Sequence, residues 1–140
     1  MKHILSIKNL SVSFGKHKAV RDVTFSIKKG ETVALVGESG SGKSVTALAT
    51  VNLIDKAATI SGSIKYCEKE IVNTSNKDLR KIRGNDISFI FQEPMTSLNP
   101  LHTIERQLSE SLRLHQGLKG QKVLEKILDS LAKVGIEEAH

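Results

Sequence analysis

Eight consecutive residues, Gly37-Glu38-Ser39-Gly40-Ser41-Gly42-Lys43-Ser44, constrain this chain more than any other feature. They fit the pattern G-x-x-x-x-G-K-[ST], a phosphate-binding loop. That pattern needs a strand before it and a helix after it. Residues 32–36, Thr-Val-Ala-Leu-Val, form a short β-branched and apolar run of the kind that makes a buried strand. Residues 45–54 carry apolar side chains at 45, 48, 49 and 53, which is helical spacing. Glycines let the backbone curl until successive N–H groups point inward and form a nest for phosphate oxygens. The dipole and free N–H groups of the new helix add to that nest. Lys43 is placed to reach the β- and γ-phosphates of a nucleotide, and Ser44 to hold Mg²⁺. The bland alternative is a Gly/Ser turn before a helix. Four fixed positions match by chance in a chain of this length on the order of once in a hundred or less, which favours the phosphate loop.

The chain has 140 residues, enough for one modest domain with a core of its own. No apolar run approaches the roughly 20 residues that span a bilayer. Met1-Lys2-His3 is not followed by a long apolar segment, so no signal peptide is expected. The expected location is the cytoplasm. Cys67 is the single cysteine, so no internal disulfide can form, and it reads as a buried or half-buried bystander. The formal net charge is +6. Its excess sits at the front, where Lys2, Lys8, Lys16, Lys18, Arg21, Lys28 and Lys29 face only Asp22. Such a face either attracts anions or is a solvated sheet edge defended by lysines, and the second reading is preferred. No aromatic cluster accompanies the charges, so no nucleic-acid partner is expected.

In chain order, Leu5 and Ile7, then Leu10, Val12 and Phe14, alternate at period two. Their parity changes after Ile7, which predicts a bulge near Lys8-Asn9. A polar turn at 15–18 leads to Val20, Val23, Phe25 and Ile27, so the first thirty residues read as an antiparallel hairpin. Residues 60–66 read as another strand. Ser75-Asn76 caps a short helix through Ile82, with Asp78 in its first turn. Residues 87–91, Ile-Ser-Phe-Ile-Phe, read as a central strand ending at Gln92. Residues 93–100 hold both prolines and predict an ordered loop. From Thr103 two amphipathic helices follow, separated by Gly117 and Gly120 and closed by Gly135.

Beyond the phosphate loop there is a second string, Phe91-Gln92-Glu93-Pro94-Met95-Thr96-Ser97-Leu98-Asn99-Pro100-Leu101. It resembles the Q-loop of ABC transporter ATPases, in the form used by the dipeptide/oligopeptide importer branch. Val36 to Ser44 and the opening Asn9-Leu10-Ser11-Val12-Ser13-Phe14 are similar to the same branch. The resemblance runs from about residue 4 to the end, and with His102-Thr103 it is nearest to the fused two-cassette ATPases of Yej-type peptide importers.

The resemblance implies an α/β fold of the P-loop NTPase (ABC ATPase) type. It has a mixed β-sheet core with antiparallel N-terminal strands over residues 1–100 and the start of a helical subdomain over 101–140. It implies ATP and Mg²⁺ as cofactors, with Gly37, Glu38, Ser39, Gly40, Ser41, Gly42, Lys43, Ser44 and Val45 around the phosphates. Phe14 becomes the aromatic stacked on adenine, where bare sequence favours a strand-end core residue. Gln92 becomes a sensor of Mg²⁺ and the attacking water, where bare sequence favours a polar strand terminator. Membrane-spanning permease subunits and a second ATPase cassette are the implied partners, which puts the chain on the inner face of the cell membrane as a peripheral component.

This sequence departs from the family pattern in three respects. It has no Leu-Ser-Gly-Gly-Gln signature, no strand ending in Asp-Glu and no later switch histidine. Leu118-Lys119-Gly120-Gln121 lacks the Ser-Gly core of a signature and reads as an inter-helix turn. Hydrolysis needs a carboxylate to polarise water and another to fix the metal. The expectation is therefore the ATP-binding portion of a peptide importer, truncated, marginal in isolation, and negligibly active in hydrolysis. An inactive remnant of such an ATPase and a small phosphate-loop kinase are the alternatives. Arg80, Arg83, Arg106 and Arg113 are scattered, which disfavours the kinase.

Overall fold

The structure is a computed structural model that describes residues 3–91 and 98–136. The chain divides into two compact units, Met1–Ile82 and Arg83–His140. The first is built on a hairpin of two long strands, β1 (His3–Phe14) and β2 (His17–Lys28), joined at Gly15-Lys16. Strand β3 (Ala58–Tyr66) pairs with the other edge of β1, and the short β4 (Lys69–Glu70) closes the sheet. The order is β2-β1-β3-β4, antiparallel throughout.

Strand β1 is central, and Ile7, Leu10 and Val12 are fully buried. A flat strand could not put Ile7 and Leu10 on one face, because side chains alternate at period two. One extra residue in β1 solves this. Its register steps from Ile7↔Phe25 to Leu10↔Val23 on one side and from Lys8↔Ser63 to Ser11↔Ser61 on the other. The predicted bulge is thus present. Asn9 carries it with φ 49°, a left-handed conformation that asparagine tolerates. Asn9 Nδ2 donates to Asp22 Oδ1 at 2.8 Å, and the Asn9 N–H donates to Thr24 Oγ1 at 2.8 Å. Across the other edge, a Cβ on Gly62 (φ 95°) would collide with the Lys8 and Asn9 carbonyls. Glycine lets β3 close over the bulge.

Among the described residues β2 pairs only with β1, so Lys18, Arg21 and Lys28 lie on an exposed sheet edge, as the lysine-defended reading expects. The β3–β4 turn is Cys67-Glu68, both left-handed (φ 45° and 66°), the two-residue hairpin geometry. Cys67 is exposed at that tip, which corrects the buried or half-buried reading. The strand before it buries Ile64, but the turn carries the thiol out of the packed face. Glu70 ties the hairpin down. Its carboxylate accepts Ser63 Oγ–H at 2.6 Å and the N–H groups of Ile64, Ile71 and Val72 at 3.0–3.2 Å. Burial raises the Glu70 pKa, but the Ser63 hydroxyl and the three N–H groups outweigh it and leave the group below the ordinary carboxylate value.

Helix α1 (Lys43–Ala49) is shorter than the expected 45–54 span and begins two residues earlier. Leu53 N–H bonds to Leu48 O and Asn52 N–H to Ala49 O, both at 3.0 Å, with Asn52 at φ 53°. That is a Schellman closure. The β-branched Thr50 and Val51, and a left-handed Asn52, end the helix where apolar spacing alone would continue it. Helix α2 (Asn76–Ile82) starts as read. Ser75 Oγ accepts the Asp78 N–H at 3.3 Å and donates to Asp78 Oδ2 at 2.8 Å, while Leu79 and Ile82 are buried.

Two expected strands do not form. Residues 32–36 take no place in the sheet; Val33 and Leu35 are exposed and Val36 is 88% exposed. Residues 87–91 contribute only a parallel bridge between Ile87 and Arg83. Both runs have the continuous apolar composition of parallel strands, which need partners along their edges and layers over their faces. Among the described residues no strand lies beside 32–36, so strand propensity has nothing to pair with.

In the second unit, Phe89 and Phe91 stack with ring centroids 6.0 Å apart. Helices α3 (Ile104–Gln116) and α4 (Gln121–Lys133) form a hairpin in which Val123 and Ile127 are buried. Thr103 caps α3 by accepting the Arg106 N–H at 3.2 Å, and Gly117 ends it at φ 64°. Residues 118–120 form the inter-helix turn expected over 118–121, and Gln121 already opens α4. Gln107 holds the preceding loop, accepting from Asn99 N–H and donating to the Asn99 and His102 carbonyls at 2.9–3.0 Å. Among the described residues no helix is long and apolar enough to cross a membrane.

Candidate functional site

The phosphate loop of the sequence is a bent loop in space. Gly40 (φ 79°) and Gly42 (φ 87°) are both left-handed, and the Ser41 N–H closes a turn onto Glu38 O at 3.2 Å. Gly42 is required by contact as well as by conformation. A Cβ there would collide with the Ala19 carbonyl and meet Val20 Cγ2 at 3.2 Å. The loop therefore rests directly on β2. On its far side Gly42 O accepts both the Thr46 N–H at 2.8 Å and Thr46 Oγ–H at 2.9 Å, and Thr46 is buried. Both contacts fall on Gly42, which fixes the loop at its junction with α1.

Lys43 bridges the bend. Its ammonium donates to Gly37 O at 2.7 Å, to Glu38 O at 2.6 Å and to Ser41 Oγ at 3.3 Å. It stays on the concave side, among the loop residues whose phosphate it was expected to bind. Carbonyl oxygens are partial charges, and a phosphate oxygen carries a larger one, so charge-assisted bonding favours exchange of these contacts for an anion.

Beside the loop is a cavity of about 300 Å³ lined by Phe14, His17, Ala19 and the run Gly40, Ser41, Gly42, Lys43, Ser44 and Val45. The sequence-predicted residues are brought together across a separation of about thirty positions, because β1 ends at Phe14 and β2 underlies Gly42. Gly37 and Glu38 join through their carbonyls on Lys43 rather than by lining the cavity. Ser39 lies at the turn and outside the cavity lining. Gln92 lies outside the described residues. His17 and Ala19 were not singled out from sequence. The signal was the tight turn at Gly15-Lys16, which returns the chain at His17 directly opposite Phe14.

Among the described residues the lining offers backbone N–H groups, one ammonium, one imidazole and two hydroxyls, with no carboxylate. That donor set suits an anion. Among the described residues no cluster of three His, Cys, Asp or Glu could hold a metal. A magnesium ion at Ser44 would take its remaining ligands from phosphate and water, as Mg²⁺ ordinarily does in nucleotide sites. Helix α1 has only seven residues, so its first-turn N–H groups act together with those of the loop and the Lys43 ammonium rather than as a long helix dipole.

Comparison with known proteins agrees with this geometry. Residues 20–140 match the ABC transporter family model. The chain is 49% identical to the uncharacterized ABC transporter ATP-binding protein YejF of Escherichia coli over 97% of its length and 27% of that protein's. It is 50% identical to the peptidoglycan transport ATP-binding protein YejF of Agrobacterium fabrum, over 96% of this chain and 26% of that protein. The oligopeptide transport ATP-binding protein AppD of Bacillus subtilis is 44% identical, over 99% of this chain and 44% of that protein. The chain thus spans between a quarter and a half of these relatives. Among solved structures, the dimeric bacterial ABC transporter cassette MJ0796 superposes with a TM-score of 0.80 at 27% identity, covering 96% of this chain and 58% of that one. A second structure of MJ0796, bound to ADP and Pi, gives 0.78 at 28% identity, over 96% of this chain and 58% of that one. With a left-handed glycine loop seated on β2, a lysine across its bend and an aromatic at the end of β1, the chain belongs to the ABC transporter ATP-binding family.

Proposed function

We propose that this chain is the nucleotide-binding portion of the ATPase subunit of a peptide importer. The observation that carries the reading is the single cavity shared by Phe14 and the 40–45 loop, with the Lys43 ammonium held at the loop's bend. A nucleotide has an aromatic base at one end and a polyanion at the other, and the cavity lining supplies both a phenyl ring and a cationic nest. Phe14 stacks on adenine; Lys43 and the N–H groups of residues 40–45 hold the β- and γ-phosphates; Ser44 contributes its hydroxyl to Mg²⁺. Gln92 senses that ion and the attacking water.

Residues 1–100 supply the core part and residues 101–140 the start of a helical subdomain. The names of the relatives, ATP-binding proteins of oligopeptide and peptidoglycan transport, support peptides as the cargo class and membrane-spanning permease subunits as partners. The dimeric cassette MJ0796 supports pairing with a second cassette. Such partners put the chain at the inner face of the cell membrane. The intact ATPase would couple ATP hydrolysis to uptake. Among the described residues the cavity lining has no carboxylate to polarise water, so the chain by itself is proposed to bind nucleotide and turn it over negligibly.

Photolabelling with 8-azido-ATP tests the reading. Mass spectrometry is expected to find the label on the peptide containing residues 14–19, protected by excess ATP, reduced by EDTA and lost in Lys43→Ala. Labelling that ATP does not protect, or that Lys43→Ala leaves intact, would remove the proposal.

A further inference from the structure

The cavity contains a second ring that neither the loop motif nor the resemblance assigns. His17 opens β2 and is the direct cross-strand partner of Phe14 at the end of the hairpin. Directly opposed residues of an antiparallel pair project to the same face, with Cβ atoms about 5 Å apart. Both line the same cavity, with Phe14 half-buried and His17 exposed. Ala19, the next lining residue on β2, is small, and its carbonyl lies against Gly42 of the loop.

Resting on the nucleotide reading above, we propose that His17 is a base-positioning residue: Phe14 and His17 together form one two-ring platform for the purine. A purine is two fused rings, wider than one phenyl face. A platform of two adjacent rings covers it where Phe14 alone covers half. Stacking on π-faces needs no particular base edge, so the platform selects for an aromatic base over its absence. Lys43 and the loop N–H groups serve the phosphates, a different part of the ligand from the base. Consequently His17 acts on the nucleoside part of the ligand and leaves the polyphosphate part alone.

The test compares two ligands, ATP and inorganic tripolyphosphate, each measured by displacement of a fluorescent nucleotide from the full chain, with circular dichroism on every variant. His17→Ala should weaken ATP about fivefold and leave tripolyphosphate unchanged. His17→Phe, which restores a ring, should return ATP affinity to within about twofold of the unsubstituted chain. Equal weakening of both ligands would mean that His17 acts on the phosphates or on the hairpin fold, and would overturn the platform. Unchanged ATP affinity in His17→Ala would overturn it as well, while leaving the nucleotide site standing. Failure of the unsubstituted chain to bind either ligand would remove the nucleotide reading itself, and the platform with it.

Discussion

Strand β1 and residues 32–36 carry equally good strand sequences and meet opposite fates. Both are rich in β-branched and aliphatic residues. In β1, Ile7, Leu10 and Val12 are fully buried, with a paired strand on each edge. In 32–36, Val33, Leu35 and Val36 are exposed and no strand is adjacent among the described residues. Intrinsic preference is the same; the supply of partners differs. The partners of β1 are β2, through a two-residue turn, and β3, from Phe14↔Ala58 to Leu5↔Tyr66 on the other side. A central parallel strand depends on pairings of long sequence separation, which cost more loop-closure entropy and arrive later. Strand propensity is therefore realised where a pairing strand is present on the edge.

The comparison can be tested by removing apolar side chains from each region. The largest effect is expected in β1. Ile7→Ala empties a fully buried site and should lower stability by about 3 kcal/mol, measured by urea denaturation. A loss below about 1 kcal/mol would show that β1 is not the core it resembles. Gly62→Ala comes next. It forces a Cβ against the Lys8 and Asn9 carbonyls at a left-handed site, and should lower stability by about 2 kcal/mol while leaving α3 and α4 of the other unit helical by circular dichroism.

Glu70→Gln tests how the β3–β4 hairpin is held and should lower stability by roughly 1–2 kcal/mol near neutral pH. Its pH dependence has a definite sign. The folded-state pKa of Glu70 lies below the ordinary value of 4.5, so its contribution is fully present above that value. It is lost as pH falls through the lower, folded-state value. The gap between the unsubstituted chain and Glu70→Gln should thus close in acid, and a gap that widens on acidification would refute the assignment. The smallest effect is expected at Leu35→Lys. Stability should move by no more than about 0.5 kcal/mol, while light scattering at a fixed concentration should show slower aggregation, because a charge blunts an exposed apolar edge.

Local chemistry was legible in the sequence. The bulge at Asn9, the Ser75 and Thr103 caps, the Gly117 stop and the glycine bends of the phosphate loop are set by residues within a few positions of one another, and each is where residue type places it. The site was legible in the same degree: Phe14 and the 40–45 run meet because one hairpin and one turn suffice to join them. Other features were not visible because they depend on distant residues or on termination. Strands at 32–36 and 87–91 needed partners that periodicity cannot count. The end of α1 at Ala49 was decided by Asn52 adopting a left-handed closure that apolar spacing overlooks. Cys67 followed a turn, not the strand beside it. His17 was missed because a polar residue after a turn reads as solvated until its register with Phe14 is known.

The account depends on a lysine held across a glycine bend that is gripped between β2 and Thr46. Equilibrium titration of a fluorescent ATP analogue against the full chain, with and without Mg²⁺, addresses that claim most directly. Saturable, Mg²⁺-strengthened binding that Lys43→Ala weakens by at least about a hundredfold is the predicted result, in keeping with loss of a charge-assisted contact of roughly 3 kcal/mol to phosphate. Saturable binding that is indifferent to Lys43→Ala, or no saturation at all, would contradict it.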